Sequence, residues 1–547
     1  MASNQKEEIK KFFKGEAFDD EKTLSTYSRD ASLFEVRPKL VLFPQDSDDI
    51  KKLVSFVGEN KSTDPTLSVT ARSAGTCMSG GSLNESIIID FTKHFRGIEA
   101  ISENETTVLP GTFYRDLEVE TLKIGAILPC YTASKGICAL GCMVSNNAAG
   151  EKTLQYGKME NYVKELQVVF TDGNEYTIKP LTKTELEAKI AQNDFEGQVY
   201  KQIFDLVESN RELVKSAKPD VSKNSAGYYI WNVWDGKTFD LTKLIVGSQG
   251  TLGIVTKIKL KLVPVKKVSK LFVIFMPNIK KLGDVVNEIL EFKPESLESY
   301  DDSTMKLAIK FLPSMLKTMK TASFFKLIFS FIPEVFMMLT GGIPKLILLV
   351  EFSGDNEKEI DEKMRSLRSR IAHFHFKTRI THSASESEKY WTIRRESFNL
   401  LRKHVHGART APFVDDVVVK PEYLPEFLPK MRKILDDYKL VYTIAGHAGN
   451  GNFHIIPLMN MKDHKNQALI KEVSDKVYDL VLSYHGSITG EHNDGIIRTP
   501  YLAKMYGPEV YGLFEKIKQI FDPKNILNPG KKVGGTIEYM EAHLARS

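Results

Sequence analysis

The chain is poor in what metal ribbons, clusters and disulfide scaffolds need. It holds 4 cysteines in 547 residues (Cys77, Cys130, Cys138 and Cys142), and no two of them form a C-x-x-C pair. A zinc ribbon or an iron–sulfur cluster is therefore not encoded, and free thiols in a reducing compartment are expected. No uninterrupted apolar run reaches the roughly 20 residues that span a bilayer. Met1 to Lys14 is polar and carries no apolar signal segment, so a cytoplasmic location is expected. A strong excess of one charge is missing as well. The 75 Lys and Arg stand against 70 Asp and Glu, and a net charge of +5 is too small to argue for nucleic acid. Nucleotide motifs are incomplete. Gly75 to Ser82 is a near miss for the triphosphate P-loop, with Gly81 in the place of the required Lys. No G-x-G-x-x-G lies between an early strand and helix, so a Rossmann site is not supported. The length exceeds one ordinary core and predicts two or three domains.

What the chain does carry is a histidine-bearing stretch from Gly446 to Asp494. It opens with Gly446-His447-Ala448-Gly449-Asn450-Gly451-Asn452-Phe453-His454 and closes with Thr489-Gly490-Glu491-His492-Asn493-Asp494. Two neutral imidazoles and a carboxylate suit a divalent metal with an open position, and a further His suits a base near neutral pH. His447 and His454 are an odd number of residues apart, so one regular strand would point them to opposite faces. Gly449 and Gly451 disfavour a helix, whereas a Gly-Asn-Gly turn folds the segment and brings both rings together. Asn452 to Ile456 then reads as a strand with Asn452 and His454 on one face. Residue types alone leave a second reading open, a polar loop with solvated histidines.

The first half carries three stretches of small residues. Arg37 to Pro44 reads as a strand, Asp46 or Ser47 caps a helix through Val57, and Leu67 to Ala71 is a second strand. It runs into Arg72-Ser73-Ala74-Gly75-Thr76-Cys77-Met78-Ser79-Gly80-Gly81-Ser82, whose glycines let backbone N–H groups approach a phosphate. Ser134 to Gly150 is a second such stretch and leads to Tyr156-Gly157, a strand from Val163 to Phe170 and a turn at Asp172-Gly173. Val246 to Thr256 is the third. A lone Gly-rich loop is most simply a tight turn, but three on one domain point to a long ligand threaded through it.

Arg72 to Gly81, Gly141 to Gly157 and Gly247 to Thr256 resemble the three flavin signatures of the FAD-binding fold shared by vanillyl-alcohol oxidase and p-cresol methylhydroxylase. The C-terminal stretch is similar to the metal-dependent D-2-hydroxyacid dehydrogenases of that superfamily, which act on D-lactate, glycolate or D-2-hydroxyglutarate. The likeness runs from about Pro38 to Lys531. It implies an α+β fold: a two-subdomain FAD-binding domain, a ferredoxin-like cap domain and a C-terminal helical segment. The expected divisions are an N-terminal extension over 1–36, the FAD domain over 37–265, the cap over 266–430, and over 431–547 a part that carries the metal motifs and returns to the flavin. The same likeness places non-covalent FAD on Arg72, Ala74, Gly75, Thr76, Ser79 and Gly80. It adds Pro129, Gly136, Gly141, Asn146, Asn147, Gly150 and Gly157, and then Gln249, Gly250 and Val255. Cys142-Met143 stands where relatives often have Gly-Asn, and Gln249 where Glu is usual.

In the middle, Leu271 to Met276 is an apolar strand and Asn278 to Phe292 a helix. Ser296 to Ser303 and Leu346 to Phe352 read as strands, Asp361 to Ala372 as a helix and His375 to Ile380 as a strand. This doubled β-α-β order matches the ferredoxin-like cap. Between the halves, Thr304 to Lys345 is apolar and carries 6 Lys (306, 310, 317, 320, 326 and 345) against the single acid Glu334, an excess equal to the +5 of the whole chain. Pro313, Pro333 and Pro344 break it into pieces too short to cross a bilayer. Basic, interrupted apolar helices suit a membrane surface, and a helical insertion packed on the cap is the alternative. Glu386 to Lys403 reads as a helix, and its Trp391-Thr392-Ile393-Arg394 matches the family pattern in which the Arg grips the substrate carboxylate. Phe398 stands near the place of a Thr that relatives use for a distal carboxylate.

The resemblance further assigns His447, His454 and Glu491 to a divalent metal, zinc or manganese. It assigns His492 to the base that takes the hydroxyl proton and Asn452 to substrate contact. His485 is left as structural. Asn493 to Pro500 departs from the commoner Gly-Ile-Gly version and is closer to large relatives fused to an iron–sulfur unit. Phe521 to Lys531 is a family signature that returns to the flavin. The expected activity is oxidation of a small D-2-hydroxy acid to its 2-oxo acid. Electrons are expected to pass to a quinone or a separate iron–sulfur protein, from a peripheral position on the inner face of the membrane. The alternatives are a non-catalytic FAD-binding assembly subunit and an FAD-dependent ether-lipid synthase.

Overall fold

A computed structural model describes residues 2–310, 342–383, 386–395 and 409–546. The first sheet holds β1 (Glu16–Phe18), β2 (Leu40–Phe43), β3 (Val69–Arg72) and β4 (Ile87–Asp90), in the order β1-β2-β4-β3. The runs Leu40 to Phe43 and Ile87 to Asp90 are buried at every position, as a sheet covered on both faces requires. Helix α1 (Ser47–Asn60) starts at Asp46, whose side chain accepts from Asp49 N. It carries the chain across between β2 and β3, and both of these pair parallel with β4. The Gly-rich loop after Arg72 leaves the C-terminal end of this parallel set, where ligands gather in open α/β sheets.

A second, antiparallel sheet completes the N-terminal half. It comprises β5 (Ile98–Ile101), β6 (Glu105–Val108), β7 (Val163–Val169), β8 (Glu175–Ile178) and β9 (Ile254–Lys261), in the order β5-β6-β9-β7-β8. β9 alternates buried and half-buried residues, so one face meets the core. Helix α2 (Leu140–Asn146) packs into the core of this second sheet and brings the second small-residue stretch beside the first.

The cap follows the doubled order of the sequence, with β10 and β12 longer and β11 and β13 shorter than expected: β10 (Val268–Met276), α3 (Leu282–Glu291), β11 (Ser296–Asp301), β12 (Leu346–Gly354), α4 (Glu357–Arg370) and β13 (Lys377–Ile380). Their spatial order is β13-β10-β12-β11, all antiparallel, which is the ferredoxin-like arrangement. The sheet does not stop there. β14 (Arg409–Thr410), β15 (Val417–Val418), β16 (Val441–His447) and β17 (Asn452–Met459) extend it to eight strands, with β16 on β11 and β17 on β16. The expected division at residue 430 falls inside helix α5 (Leu424–Asp437), and the strands of the histidine stretch pair within the cap sheet itself. Helices α6 (His464–Ser483) and α7 (Leu502–Phe521) follow, and α7 breaks at Gly507, whose φ is +77°.

The end of the chain returns to the first sheet. Leu527 bridges Val69, and Asn528, fully buried, accepts from Thr70 Oγ1 at 2.8 Å and donates to the carbonyls of Gly81 (2.8 Å) and Gln249 (2.7 Å). Of the basic stretch 304–345, residues 311–341 lie outside the described residues, as do Phe398 and the rest of the expected helix beyond 395. The two ends of that stretch meet at one carboxylate, Asp302, which takes Lys306 at 3.1 Å and Lys345 at 2.9 Å. Among the described residues, no helix is long and apolar enough to cross a membrane. All four cysteines are free.

Candidate active site

The three small-residue stretches converge on one continuous cleft between the N-terminal half and the cap. Its larger part has a volume of about 1280 Å³, above the range of about 300–1,000 Å³ that holds a drug-sized ligand. Arg72, Ala74, Gly75 and Thr76 line it, with Gly136, Asn146 and Gly150 from the second stretch. Gly141, Gln249, Gly250 and Val255 line the narrower groove that continues it. Side chains at the glycines would collide with the walls: a Cβ on Gly150 would lie 2.1 Å from Tyr131 O, and one on Gly141 would lie 2.7 Å from Pro110. A long groove walled by backbone is what an extended dinucleotide needs, so these residues fit FAD. Ser79, Gly80, Pro129, Asn147 and Gly157 do not line the cleft. Gly80 and Gly157 hold positive φ in the turns behind it, Asn147 is a left-handed helix end, Pro129 is buried, and Ser79 O accepts from Ile496 N. Arg72 also braces the loop, donating to Arg29 O at 2.8 Å with its guanidinium over the Tyr27 ring.

The histidine cluster closes the cap end of the cleft. His447 ends β16, a tight turn over Ala448 to Gly451 reverses the chain, and β17 begins at Asn452. The register sets His447 opposite Asn452 and Ala445 opposite His454, so both histidines reach the same face with ring centroids 5.2 Å apart. Glu491 Oε1 is their meeting point. It lies 3.2 Å from His447 Nε2, 3.1 Å from His454 Nε2 and 3.8 Å from His492 Nε2. The far nitrogens are held by carboxylates: Glu298 Oε1 is 2.6 Å from His447 Nδ1, and Asp415 lies 3.1 Å from His454 Nδ1 and 2.7 Å from His492 Nδ1. Ligands about 2.0–2.2 Å from one zinc stand about 3.3–3.6 Å apart at the tetrahedral angle, and carboxylates behind ligating histidines are the usual support. The donor set fits a divalent ion.

Asp416, His454, Glu491 and His492 also bring ligand atoms within 4.8 Å of one another. Asp416 is already engaged. Its Oδ2 accepts from Thr489 Oγ1 (2.6 Å) and from the N–H groups of Gly490 (2.9 Å), Glu491 (2.9 Å) and His492 (2.8 Å), and its Oδ1 accepts from Asn452. It shapes the loop that presents Glu491 and His492. Arg498, fully buried, ties the same loop by donating to Ile488 O, Asn493 O and Asp415 O.

The site's charges hold one another in place. Burial alone would raise Glu491, but Lys223 and His447 outweigh it and hold its carboxyl well below the ordinary range. Burial pulls the His454 imidazole down, and Asp415 more than reverses this, taking it up to about 10. His492 is likewise raised, by Asp416 and Asp415 against burial, and Asp415 itself is held low by His492 and His454. The proton that His454 Nε2 shares with Glu491 is the one a divalent ion would replace.

His492 and Arg394 face the cleft, whereas Asn452 does not. Asn452 is fully buried behind Glu491, donating to Asp416 and facing Lys223 Nζ at 3.4 Å. Arg394 Nη2 is 3.2 Å from Glu298 Oε2. Arg395 forms a fork on buried Glu151, with contacts of 2.8 and 2.7 Å, over the Trp391 ring. His485 is exposed at the end of α6. Sequence reading missed Glu298, Asp415, Asp416 and Lys223. Asp415-Asp416 left one signal: two adjacent acids between Phe413-Val414 and Val417-Val418-Val419 have to be buried, and buried acids have to be paired. Lys223 left none.

Comparison with known proteins agrees with this arrangement. Residues 38–179 match the family "FAD binding domain", and residues 265–532 match "FAD linked oxidases, C-terminal domain". The chain is 28% identical over 526 residues to a D-2-hydroxyglutarate dehydrogenase of Pseudomonas putida, covering 95% of this chain and 50% of that protein. It thus spans about half the length of the curated D-2-hydroxyglutarate dehydrogenases it matches. It is 24% identical to the glycolate oxidase subunit GlcD of Bacillus subtilis, covering 97% of both chains. The fold matches p-cresol methylhydroxylase with a TM-score of 0.69 at 15% identity, over 98% of this chain and 97% of that one.

Proposed function

We propose that this chain, which belongs to the FAD-linked oxidases of the vanillyl-alcohol oxidase/p-cresol methylhydroxylase superfamily, oxidises a small D-2-hydroxy acid such as D-lactate or glycolate to the 2-oxo acid. The observation that carries this reading is the convergence of three imidazoles on Glu491 Oε1 at the wall of the flavin cleft, with Arg394 beside them. When bound, FAD supplies a two-electron acceptor, and a divalent ion on His447, His454 and Glu491, zinc or manganese, supplies Lewis acidity. Arg394 takes the substrate carboxylate, a charge-assisted contact worth about 1.5–3 kcal/mol. His492 accepts the hydroxyl proton at Nε2, and the Asp415 carboxylate 2.7 Å from Nδ1 stabilises by charge the imidazolium that forms. The α-hydrogen leaves as hydride, so proton and electron pair depart to separate acceptors. Lys223 and Asp416 keep Glu491 charged and its loop in place.

An anaerobic screen tests the reading: the FAD-loaded protein is mixed with a panel of 2-hydroxy acids and flavin bleaching is followed. D-Lactate or glycolate is expected to bleach it, and His492→Ala is expected to slow bleaching by roughly 10²–10⁴-fold with the flavin spectrum intact. No bleaching by any 2-hydroxy acid would reject it in favour of a non-catalytic FAD subunit. Reoxidation is assigned to a quinone or a separate iron–sulfur protein, with oxygen a poor acceptor.

A further inference from the structure

Glu298 is a charged residue in the middle of a strand buried at every position. Its own relative exposure is 1%. A carboxylate is carried into such a place only against strong compensation. Its oxygens face different parts of the site, Oε1 through a hydrogen bond and Oε2 through an ion pair alone. Oε1 lies 2.6 Å from His447 Nδ1, and Oε2 lies 3.2 Å from Arg394 Nη2. β11 can reach both because it pairs with β16 next to the hairpin: Ser299 stands opposite Gly446, and Ser299 Oγ donates to Gly446 O at 3.2 Å. His454 and His492 share a different carboxylate, Asp415. His447 and Arg394 therefore have a support of their own.

We propose that Glu298 is a positioning residue that sets the substrate anchor and the metal-facing histidine from a single carboxylate. It holds the His447 ring by Nδ1, which leaves Nε2 as the atom that would give its lone pair to a divalent ion. At the same time it holds the Arg394 guanidinium in the cleft by charge. The carboxylate and the hydroxyl of a 2-hydroxy acid sit on adjacent carbons, so one rigid element that spaces their two receptors suits the substrate. Glu298 is that element. This inference rests on the proposed reading of the site as a metal-assisted 2-hydroxy acid oxidase.

The test uses the full-length FAD-loaded protein, stripped of metal, with wild type, Glu298→Gln and Glu298→Asp side by side. Zinc is titrated against a competing chelator, and pyruvate, a 2-oxo acid that cannot be oxidised at this site, is titrated onto the metal-free protein. Glu298→Gln keeps the shape and removes the charge; zinc affinity is expected to fall by about 10–100-fold and pyruvate to bind several-fold more weakly. Glu298→Asp keeps the charge and shortens the reach, and the same two losses are expected from it should the Gln variant not retain FAD. Zinc affinity lost with pyruvate unchanged would overturn the bridging role and leave Glu298 serving His447 alone. Wild-type affinities for both probes in a variant that holds FAD would overturn the inference while leaving the proposed function standing. A wild-type protein that takes no zinc would overturn the metal reading of the site and this inference with it.

Discussion

At the scale of single residues, Arg394 and Arg395 are neighbours that differ in what they hold. Arg395 closes a fork on Glu151, whereas Arg394 faces Glu298 and the metal-facing histidines. Arg394→Ala is expected to raise the Michaelis constant for any 2-hydroxy acid. Arg395→Ala is expected chiefly to lower the melting temperature, because a buried acceptor left unpaired costs about 1–3 kcal/mol. A steady-state comparison of the two variants, with thermal melts, decides this, and a larger Michaelis effect from Arg395→Ala would reverse the assignment. Lys158 makes a second residue-scale prediction. It is buried with its ammonium against Ser225 Oγ (2.7 Å), Tyr229 OH (3.0 Å) and Gly490 O (3.1 Å), and burial brings its pKa down from 10.5 to about 7. Between those two values the folded chain binds fewer protons than the unfolded one, so this group's contribution to stability rises with pH and is lost as pH falls through about 7. Lys158→Met is expected to flatten the rise of the unfolding midpoint between pH 7 and 10, whatever it does to the midpoint itself; an unchanged slope would place the titration elsewhere. At this scale sequence reading reached the groups with chemical names in a motif, His447, His454, Glu491 and His492. It did not reach Glu298 or Lys223, because what makes them matter is burial beside a residue more than a hundred positions away.

At the scale of elements, the hairpin β16–β17 carries the argument. Gly451 holds φ at +63°, and a Cβ there would lie 1.7 Å from Val419 O. Gly451→Ala therefore meets both the left-handed penalty of about 1–2 kcal/mol and a backbone collision. The variant is expected to lose bound metal, because the turn spaces His447 from His454, and to keep FAD, because the phosphate loops lie in the other half. Metal analysis beside the flavin absorbance ratio checks it, and full metal content would mean the turn is not what sets the spacing. This turn was legible from Gly-Asn-Gly and the odd spacing of the two histidines, as were a helix cap at Asp46 or Ser47, of which the structure uses Asp46, and the doubled β-α-β order of the cap. That β16 would lie on β11 was not. Ser299 and Gly446 are separated by 147 residues, and no local periodicity records which edge of a sheet a distant strand will join.

At the scale of the whole molecule, the described ends of the basic stretch 304–345 are tied together, since Lys306 and Lys345 share Asp302. Each basic residue near an anionic leaflet is worth about 1 kcal/mol, so the charge excess suits an anionic membrane at moderate salt. The protein is expected to float with anionic liposomes at low salt and not at high salt, and deletion of 314–336 is expected to abolish flotation while dye-linked turnover persists. An intact protein that never floats would assign the stretch to the cap. The return of the chain to its beginning has a different consequence. Leu527 completes the neighbourhood of Val69, Asn528 joins the carbonyls of Gly81 and Gln249, and Ala545 N donates to Leu33 O. A ribosome delivers residue 69 hundreds of residues before residue 527. During synthesis, then, the phosphate-loop sheet stays an unfinished edge while the rest of the chain emerges. The wall that Asn528 makes with Gly81 and Gln249 is therefore among the last parts of the cleft to form.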